Sequence, residues 1–449
     1  MVGVEVLTAA RSEGIQRRVA GGLLARGARV GDRVVVPPPD PQAGLAPGTV
    51  LSAVVGALRV GVVPVVLHGG LLDEERAPLV ADADPHLDLS AAALAALAED
   101  GPPVDLAPDP LARPLHYTSG TTGRAKGVWS GVLAAPAAAA LRAEEADLWG
   151  FAGDDVHLVC SPLYHSAPIR FAAGTLLVGG TVVLPERFDA ATVAGVLADG
   201  TAGTGPATST FCVPAHLQRL FALGGTVRAP RLRLLAHAGA PCPLPLKERT
   251  LAALPAGSVW EFYGSTEGQL TACGPDEAAA HPGSVGRARP GRRLRVDDDG
   301  TIWCAVPPHA RFSYWRDAER TARAWRADRF TVGDLGRLDA DGYLWLDGRR
   351  DDLVITGGVN VYPLEVEQAL EGRPGIEEVA VFGVDDERWG QRVCLAYTGT
   401  AAPDEVLAHA AAHLAPHKRP KEAHRVGALP LTPTGKLRRL DLPGMLGLA

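Results

Sequence analysis

The chain has 449 residues, 47% of them apolar and 21% charged, with a formal net charge of −7. These values describe a globular protein too long for one simple domain, and its mildly acidic balance gives no electrostatic reason for a nucleic-acid partner. Six cysteines (Cys160, Cys212, Cys242, Cys273, Cys304 and Cys394) are scattered without a CxxC pair, which argues against a disulfide framework or structural zinc and fits a reducing, cytoplasmic compartment. The first residues carry Glu5 and no basic residue ahead of an apolar run, so they do not read as a signal peptide. The most apolar stretch, Thr49 to Leu67, is interrupted by Arg59 and Pro64 and reads as core, not as a membrane span. The 44 basic residues divide into 39 Arg and five Lys (Lys126, Lys247, Lys418, Lys421 and Lys436), and an ammonium is not interchangeable with a guanidinium. Each Lys therefore invites a chemical question, although Lys247 reads as an ordinary helix-surface residue.

Helix-like and strand-like segments alternate along most of the chain, which predicts α/β layers. Asp32 to Val36 reads as a buried strand stopped by three prolines, Val50 to Arg59 as a helix, and Val62 to Leu67 as the next strand. Leu133 to Trp149 is Ala-rich with Pro136 near its start, a helix pattern. Asp155 to Cys160 and Thr181 to Leu184 follow as strands bounded by turn residues. The polar run Asp347 to Asp352 marks a boundary near residue 350. Beyond it a compact α+β pattern is expected, with helices at Leu364 to Leu370 and Asp404 to Leu414 and strands at Glu378 to Val384 and Arg392 to Thr398. The expected division is thus a large domain at 1–350 and a small one at 351–449.

The chemically richest segment runs from His116 to Val128, HYTSGTTGRAKGV. The hydroxyls of Thr118, Ser119, Thr121 and Thr122, the turns at Gly120 and Gly123, and the Lys126 ammonium suit a wrap around phosphate oxygens. It is not a Walker loop, because Gly127 follows Lys126 where Ser or Thr is required. Gly203-Thr-Gly205 lacks the third glycine of a dinucleotide fingerprint, and no Ser sits in a G-x-S-x-G elbow. Glu261-Phe262-Tyr263-Gly264-Ser265-Thr266-Glu267-Gly268 puts aromatic rings, hydroxyls and carboxylates on a turn after an apolar strand. Such a turn suits purine packing, a phosphate contact and Mg²⁺. By itself it also reads as a capped turn. Thr331-Val-Gly-Asp334-Leu places a carboxylate after a strand, as a ribose-diol acceptor or an ordinary turn Asp. Thr434-Gly435 aims Lys436 from a loop.

The order of these segments resembles the adenylate-forming superfamily of acyl-CoA synthetases, carrier-protein adenylation domains and firefly-type luciferases, most closely the fatty-acyl and related acyl-CoA ligases. YTSGTTGRAKG resembles the family's phosphate loop, EFYGSTEG its adenine and Mg²⁺ segment, and VGDLGRLDADGYLWLDGRRDD its ribose and hinge segment. ITGGVNVYPLEVE and PTGKL resemble its lid motifs, so residues 20 to 440 are covered. The resemblance implies a small mobile lid for the C-terminal domain and a set of roles. Thr118 to Lys126 would hold ATP phosphates; Glu267, with Thr118, would bind Mg²⁺. Gly239, Ala240, Pro241 and Tyr263 would enclose adenine, Thr266 would contact the α-phosphate, and Asp334 with Arg349 would hold the ribose. Asp351 would be the hinge and Lys436 the catalytic lid lysine. His165 would line the acyl and thiol channels, or else is a core histidine. Gly357 and Gly358 would pass the pantetheine arm of coenzyme A. Lys418 and Lys421 fit either CoA phosphates or a solvated basic patch.

The chain departs from that pattern in having 116 residues before the phosphate loop, where family members have about 150 or more, and Val332 where Thr is common. Ile169, Phe171 and Val213 are expected to border an apolar acyl pocket, with Cys212 and Arg170 nearby. Arg170 is either the partner of a second carboxylate or a salt-bridged structural residue. The implied reaction joins a carboxylic acid and ATP into acyl-AMP and pyrophosphate, after which the CoA thiol displaces AMP. The alternative is a free-standing enzyme that loads an amino, aryl or fatty acid onto an acyl carrier protein.

Overall fold

A computed structural model describes residues 3–118, 125–431 and 437–448. It contains two compact units: the first comprises Met1–Pro241, Glu248–Arg293 and Cys304–Phe330, and the second Cys242–Lys247, Leu294–Trp303 and Thr331–Ala449. The boundary expected near residue 350 falls inside the second unit.

The first unit is built on a six-stranded sheet in the order Val4–Thr8, Thr181–Pro185, Val156–Val159, Ser209–Cys212, Leu234–His237, Val259–Glu261. The last five strands run parallel, and Val4–Thr8 closes one edge antiparallel to Thr181–Pro185. Every residue of Val156–Val159, Ser209–Cys212 and Leu234–His237 is buried, as expected of parallel strands covered on both faces. Sequence reading placed two of these strands to within a residue or two. A second, parallel sheet orders Val63–Val66, Arg33–Val36 and Leu87–Asp88.

Helix Ala9–Ala25 starts where the Thr8 hydroxyl accepts from Arg11 N at 3.3 Å, and helix Pro47–Arg59 starts on a proline that gives up no needed donor. The two helices approach so closely that a Cβ on Gly56 would sit 2.6 Å from Gln16 O, which explains a glycine inside a helix. Asp155, 2% exposed, sits just before its strand and ties neighbours together. It accepts from Thr208 Oγ1 at 2.7 Å, Ala152 N at 2.9 Å and Arg233 Nε at 2.8 Å.

The second unit carries a five-stranded sheet built on the long hairpin Ile376–Asp386 and Gly390–Gly399, flanked by Val354–Thr356, Val359–Val361 and the parallel strand Glu422–Arg425. Helices Pro363–Leu370 and Pro403–His413 supply Val366, Leu370, Val406 and Ala410 to its core. Tyr397 is fully buried there, and its hydroxyl donates to Ala401 O at 2.7 Å. These elements follow the expected α+β order. No helix among the described residues is long and apolar enough to cross a membrane.

Candidate active site

In an open parallel sheet the carboxyl ends of the strands, where loops leave toward helix N-termini, form the natural ligand edge. Most of the sequence-predicted residues of the first unit sit at that edge. His165 follows Val156–Val159 and caps helix Ser166–Leu177; Val213 follows Ser209–Cys212 and caps helix Pro214–Phe221. Gly239, Ala240 and Pro241 follow Leu234–His237 and are exposed, with Gly239 at φ +95°, a conformation that favours glycine. Phe262 to Gly268 follow Val259–Glu261.

That last segment is a tight reversal. Ser265 N donates to Gly268 O at 2.9 Å and Gly268 N returns to Ser265 O at 3.2 Å, so Thr266 and Glu267 occupy the two central positions of the turn. A Cβ on Gly264 would meet Gln269 Cα and Gly268 O at 2.7 Å, so the turn excludes any side chain there. Tyr263 and Phe262 are buried, and Glu261 is clamped by paired backbone bonds with Cys273.

The strands His116–Thr118 and Lys126–Trp129 form an antiparallel hairpin whose register sets Thr118 opposite Lys126. Ser119, Gly120, Thr121, Thr122 and Gly123 lie outside the described residues, as does Lys436. Lys126 Nζ donates to Glu267 Oε1 at 2.7 Å, joining the first chemical segment to the second. Burial of Glu267 by itself raises its carboxyl, but the ammonium beside it more than reverses this and holds it below the usual carboxylate range. Tyr314 completes the group: its hydroxyl donates to Glu267 Oε1 at 2.9 Å, and Lys126 Nζ lies 3.2 Å from that hydroxyl and 4.7 Å from the ring centroid. Tyr314 was missed in the sequence reading. Its segment has no motif, and it reaches the site because Ser313–Tyr314 pairs with Lys126–Trp129, a long-range register that only the folded sheet defines.

Thr118 Oγ1 is buried and has no hydrogen-bond partner among the described residues. An orphaned hydroxyl in this hairpin, together with the Glu267 carboxylate, offers hard oxygen donors of the kind that fit Mg²⁺. His116 is buried, donates from Nδ1 to Tyr164 O at 3.1 Å, and is pushed down to about 4 by burial, so it is neutral at physiological pH. The His165 ring is half-buried and packs on Tyr164, centroids 4.5 Å apart, with His68 on the same tyrosine.

The residues expected at the acyl pocket are more enclosed than their apolar character alone implied. Phe171 is fully buried among Trp149, Phe211 and Phe262, Ile169 is 4% exposed in the main core, and Val213 packs against the aromatic cluster. Arg170 is the salt-bridged structural residue of its two readings: it donates to Gln269 Oε1 at 2.9 Å and lies 3.5 Å from Glu145. Burial raises the Glu145 carboxyl, but Arg170 and Arg289 outweigh that and hold it at about 2. Lys247 is a correction: it lies in helix Leu244–Ala253, yet is 4% exposed. That helix has no clean apolar stripe, so its buried face was not legible, and a long aliphatic stem lets Lys sit inside.

In the second unit Asp334 opens the strand Asp334–Leu338 and pairs in register with Arg349 at the end of Leu344–Arg349; Arg349 Nε lies 3.2 Å from Asp334 Oδ1. Asp351 is in the 3₁₀ turn Arg350–Asp352 that follows. Gly357 and Gly358, at φ +56° and +78°, form the two-residue turn between Val354–Thr356 and Val359–Val361, where both central residues must take positive φ. Lys418 is ion-paired with Glu365, and Lys421 lies 5.9 Å from the Trp389 ring centroid.

A carboxylate, a lysine and a hydroxyl brought together beside the carboxyl edge of an open parallel sheet suit an anionic, phosphate-bearing ligand, the arrangement of a nucleotide-binding enzyme. Residues 88–307 match the AMP-binding enzyme family and residues 365–436 match the AMP-binding enzyme C-terminal domain. The 2-succinylbenzoate–CoA ligase of Geobacillus kaustophilus is 34% identical over 359 residues, covering 74% of this chain and 69% of that protein. The indoleacetate–CoA ligase of Aromatoleum aromaticum is 34% identical over 346 residues, covering 73% and 66%. ATP-bound MatB from Rhodopseudomonas palustris superposes with a TM-score of 0.82 at 29% identity, covering 97% of this chain and 93% of that one. The chain belongs to the AMP-binding enzyme family and is an AMP-forming acid–thiol ligase of the acyl-CoA synthetase type.

Proposed function

We propose that this enzyme converts a ring-bearing carboxylic acid to its CoA thioester, with the residues above in the roles their positions suggest. The observation that carries the reading is the meeting of Lys126 with Glu267, beside the turn that presents Thr266, at the carboxyl edge of the parallel sheet. In the first half-reaction the acid's carboxylate attacks the α-phosphorus of ATP and pyrophosphate leaves. The attacking group is already ionised at neutral pH, so the protein needs no general base there; it must bring two anions together. Lys126 and the hydroxyls of Thr118, Ser119, Thr121 and Thr122 take the phosphates, Gly120 and Gly123 let the backbone close on them, and Thr266 and Lys436 address the α-phosphate. Gly239, Ala240, Pro241 and Tyr263 border adenine, while Asp334 and Arg349 take the ribose hydroxyls. Glu267 and Thr118 would hold Mg²⁺, which when bound would supply charge that neutralises the phosphate oxygens.

In the second half-reaction the CoA sulfur attacks the acyl carbon and AMP leaves. A turn about Asp351 exchanges the Lys436 loop for the Gly357-Gly358 turn, whose missing side chains admit a pantetheine arm, with Lys418 toward the CoA phosphates and His165 at the thiol channel. The acid sits beside Ile169, Phe171 and Val213. A ring-bearing acid is favoured because the named relatives act on 2-succinylbenzoate and indoleacetate, and because aromatic side chains back this region. The test is pyrophosphate release with a panel of aryl, fused-ring, fatty and dicarboxylic acids, followed by addition of CoA. Release with aryl acids and a CoA-dependent thioester is the expected result; release confined to straight-chain acids overturns the substrate class.

A further inference from the structure

The Glu267 carboxylate is 3% exposed, and a single oxygen, Oε1, accepts from both Lys126 and Tyr314. Lys126 is held in turn: its ammonium lies over the Tyr314 ring and beside the Tyr314 hydroxyl, and Tyr314 is itself 5% exposed and fixed to the Lys126 strand by sheet pairing. The carboxylate assigned to the metal is therefore already neutralised by an internal cation. A divalent ion arriving alone must break a short charge-assisted bond to a buried carboxylate, and it leaves the ammonium unpaired beside a doubly positive ion. Nucleotide phosphates remove both obstacles, because their anionic oxygens give the Lys126 ammonium a new partner and relieve Glu267 Oε1 of the charged one of its two donors. Tyr314 stays on the carboxylate and holds its orientation while Lys126 departs.

We propose that Lys126, Glu267 and Tyr314 form an ion-pair gate that closes the divalent-cation site until phosphate oxygens draw Lys126 away. The gate rests on the reading of Glu267 as a metal ligand, and its consequence is positive coupling between metal and nucleotide that, as linkage, acts in both directions. It also guards the carboxylate against free cations when no ATP is bound.

The test uses the whole chain and Mn²⁺ alone, without nucleotide, followed by the loss of the free-ion paramagnetic signal. Wild type is expected to bind Mn²⁺ weakly at this site, and Lys126→Met to bind it tighter by a factor within the roughly 5- to 150-fold range of coupled sites. Adding Glu267→Gln to Lys126→Met should abolish the gain. Equal Mn²⁺ affinity in wild type and Lys126→Met, with Glu267→Gln weakening both, overturns the gate and leaves the metal ligand standing. No effect of Glu267→Gln in either background overturns the ligand itself. Lys126→Gln, which keeps a hydrogen bond to the carboxylate, repeats the comparison should the Met variant unfold.

Discussion

Glu267 receives a 2.7 Å hydrogen bond from Lys126, a residue 141 positions earlier, and this contact brings two separate segments together. One partner lies in a hairpin strand and the other in the reversal after a parallel strand, so both are placed by regular structure and not by loop chance.

The two half-reactions should separate by mutation. Lys436→Ala is expected to lower ATP–pyrophosphate exchange by about 10² to 10³, the usual cost of one contact made mainly in the transition state, and to leave thioester formation from supplied acyl-AMP largely intact. Gly358→Trp should do the reverse. Nothing lies within 4 Å of a Cβ built on Gly358, but its φ of +78° adds strain, so Gly358→Asn, tolerant of that conformation, is the control. Loss of both half-reactions in either variant counts against the exchange of faces about Asp351.

Asp334→Asn should raise the KM for ATP roughly tenfold, the effect of losing about one charge-assisted contact. Little stability should go with it. Arg349 is 49% exposed, and exposed ion pairs contribute only about 0 to 1 kcal/mol. A thermal midpoint that falls steeply without a change in KM would make this pair structural.

Arg233→Ala should destabilise the first unit by about 3 kcal/mol, the low end for breaking a buried pair because Arg233 is itself 35% exposed. Asp155 would keep Thr208 and Ala152 but lose its cation. Burial raises the Asp155 carboxyl, and the bonds from Arg233 and Thr208 lower it by more, so its net contribution is present above the usual Asp pKa and fades as pH falls. Urea unfolding of wild type and variant should therefore converge in acid.

Glu371 behaves in the opposite sense. Burial, then the neighbouring Glu367, push its carboxyl up from 4.5 to about 7. The folded chain thus binds a proton that the unfolded chain releases near 4.5, and stability is lost as pH climbs from there through 7. Allowing for solvent screening at this partly exposed group, the loss is on the order of 2 kcal/mol. Glu371→Gln should flatten that slope in urea midpoints taken between pH 5 and 8; an unchanged slope would clear Glu371 of the effect.

Much of this protein is legible in the chain itself, because the relevant physics is local. Val34–Val36 is buried and apolar at every step, Val156–Val159 is buried throughout and apolar except for His157, and Pro47 and Gly357-Gly358 are residues that the helix start and the two-residue turn demand. The motif order that marks an adenylate-forming enzyme is likewise written in short segments, each carrying its own hydroxyls, glycines and charge. What only the tertiary structure decided is which separate segments meet. Tyr314 joins Lys126 and Glu267 through strand pairing, Arg170 spends its charge on Glu145 and Gln269, and Lys247 turns inward on a helix without a clear stripe. Pairing across more than a hundred residues depends on sheet register and on how buried charges find partners, and neither leaves a periodic trace in the segment where the side chain stands.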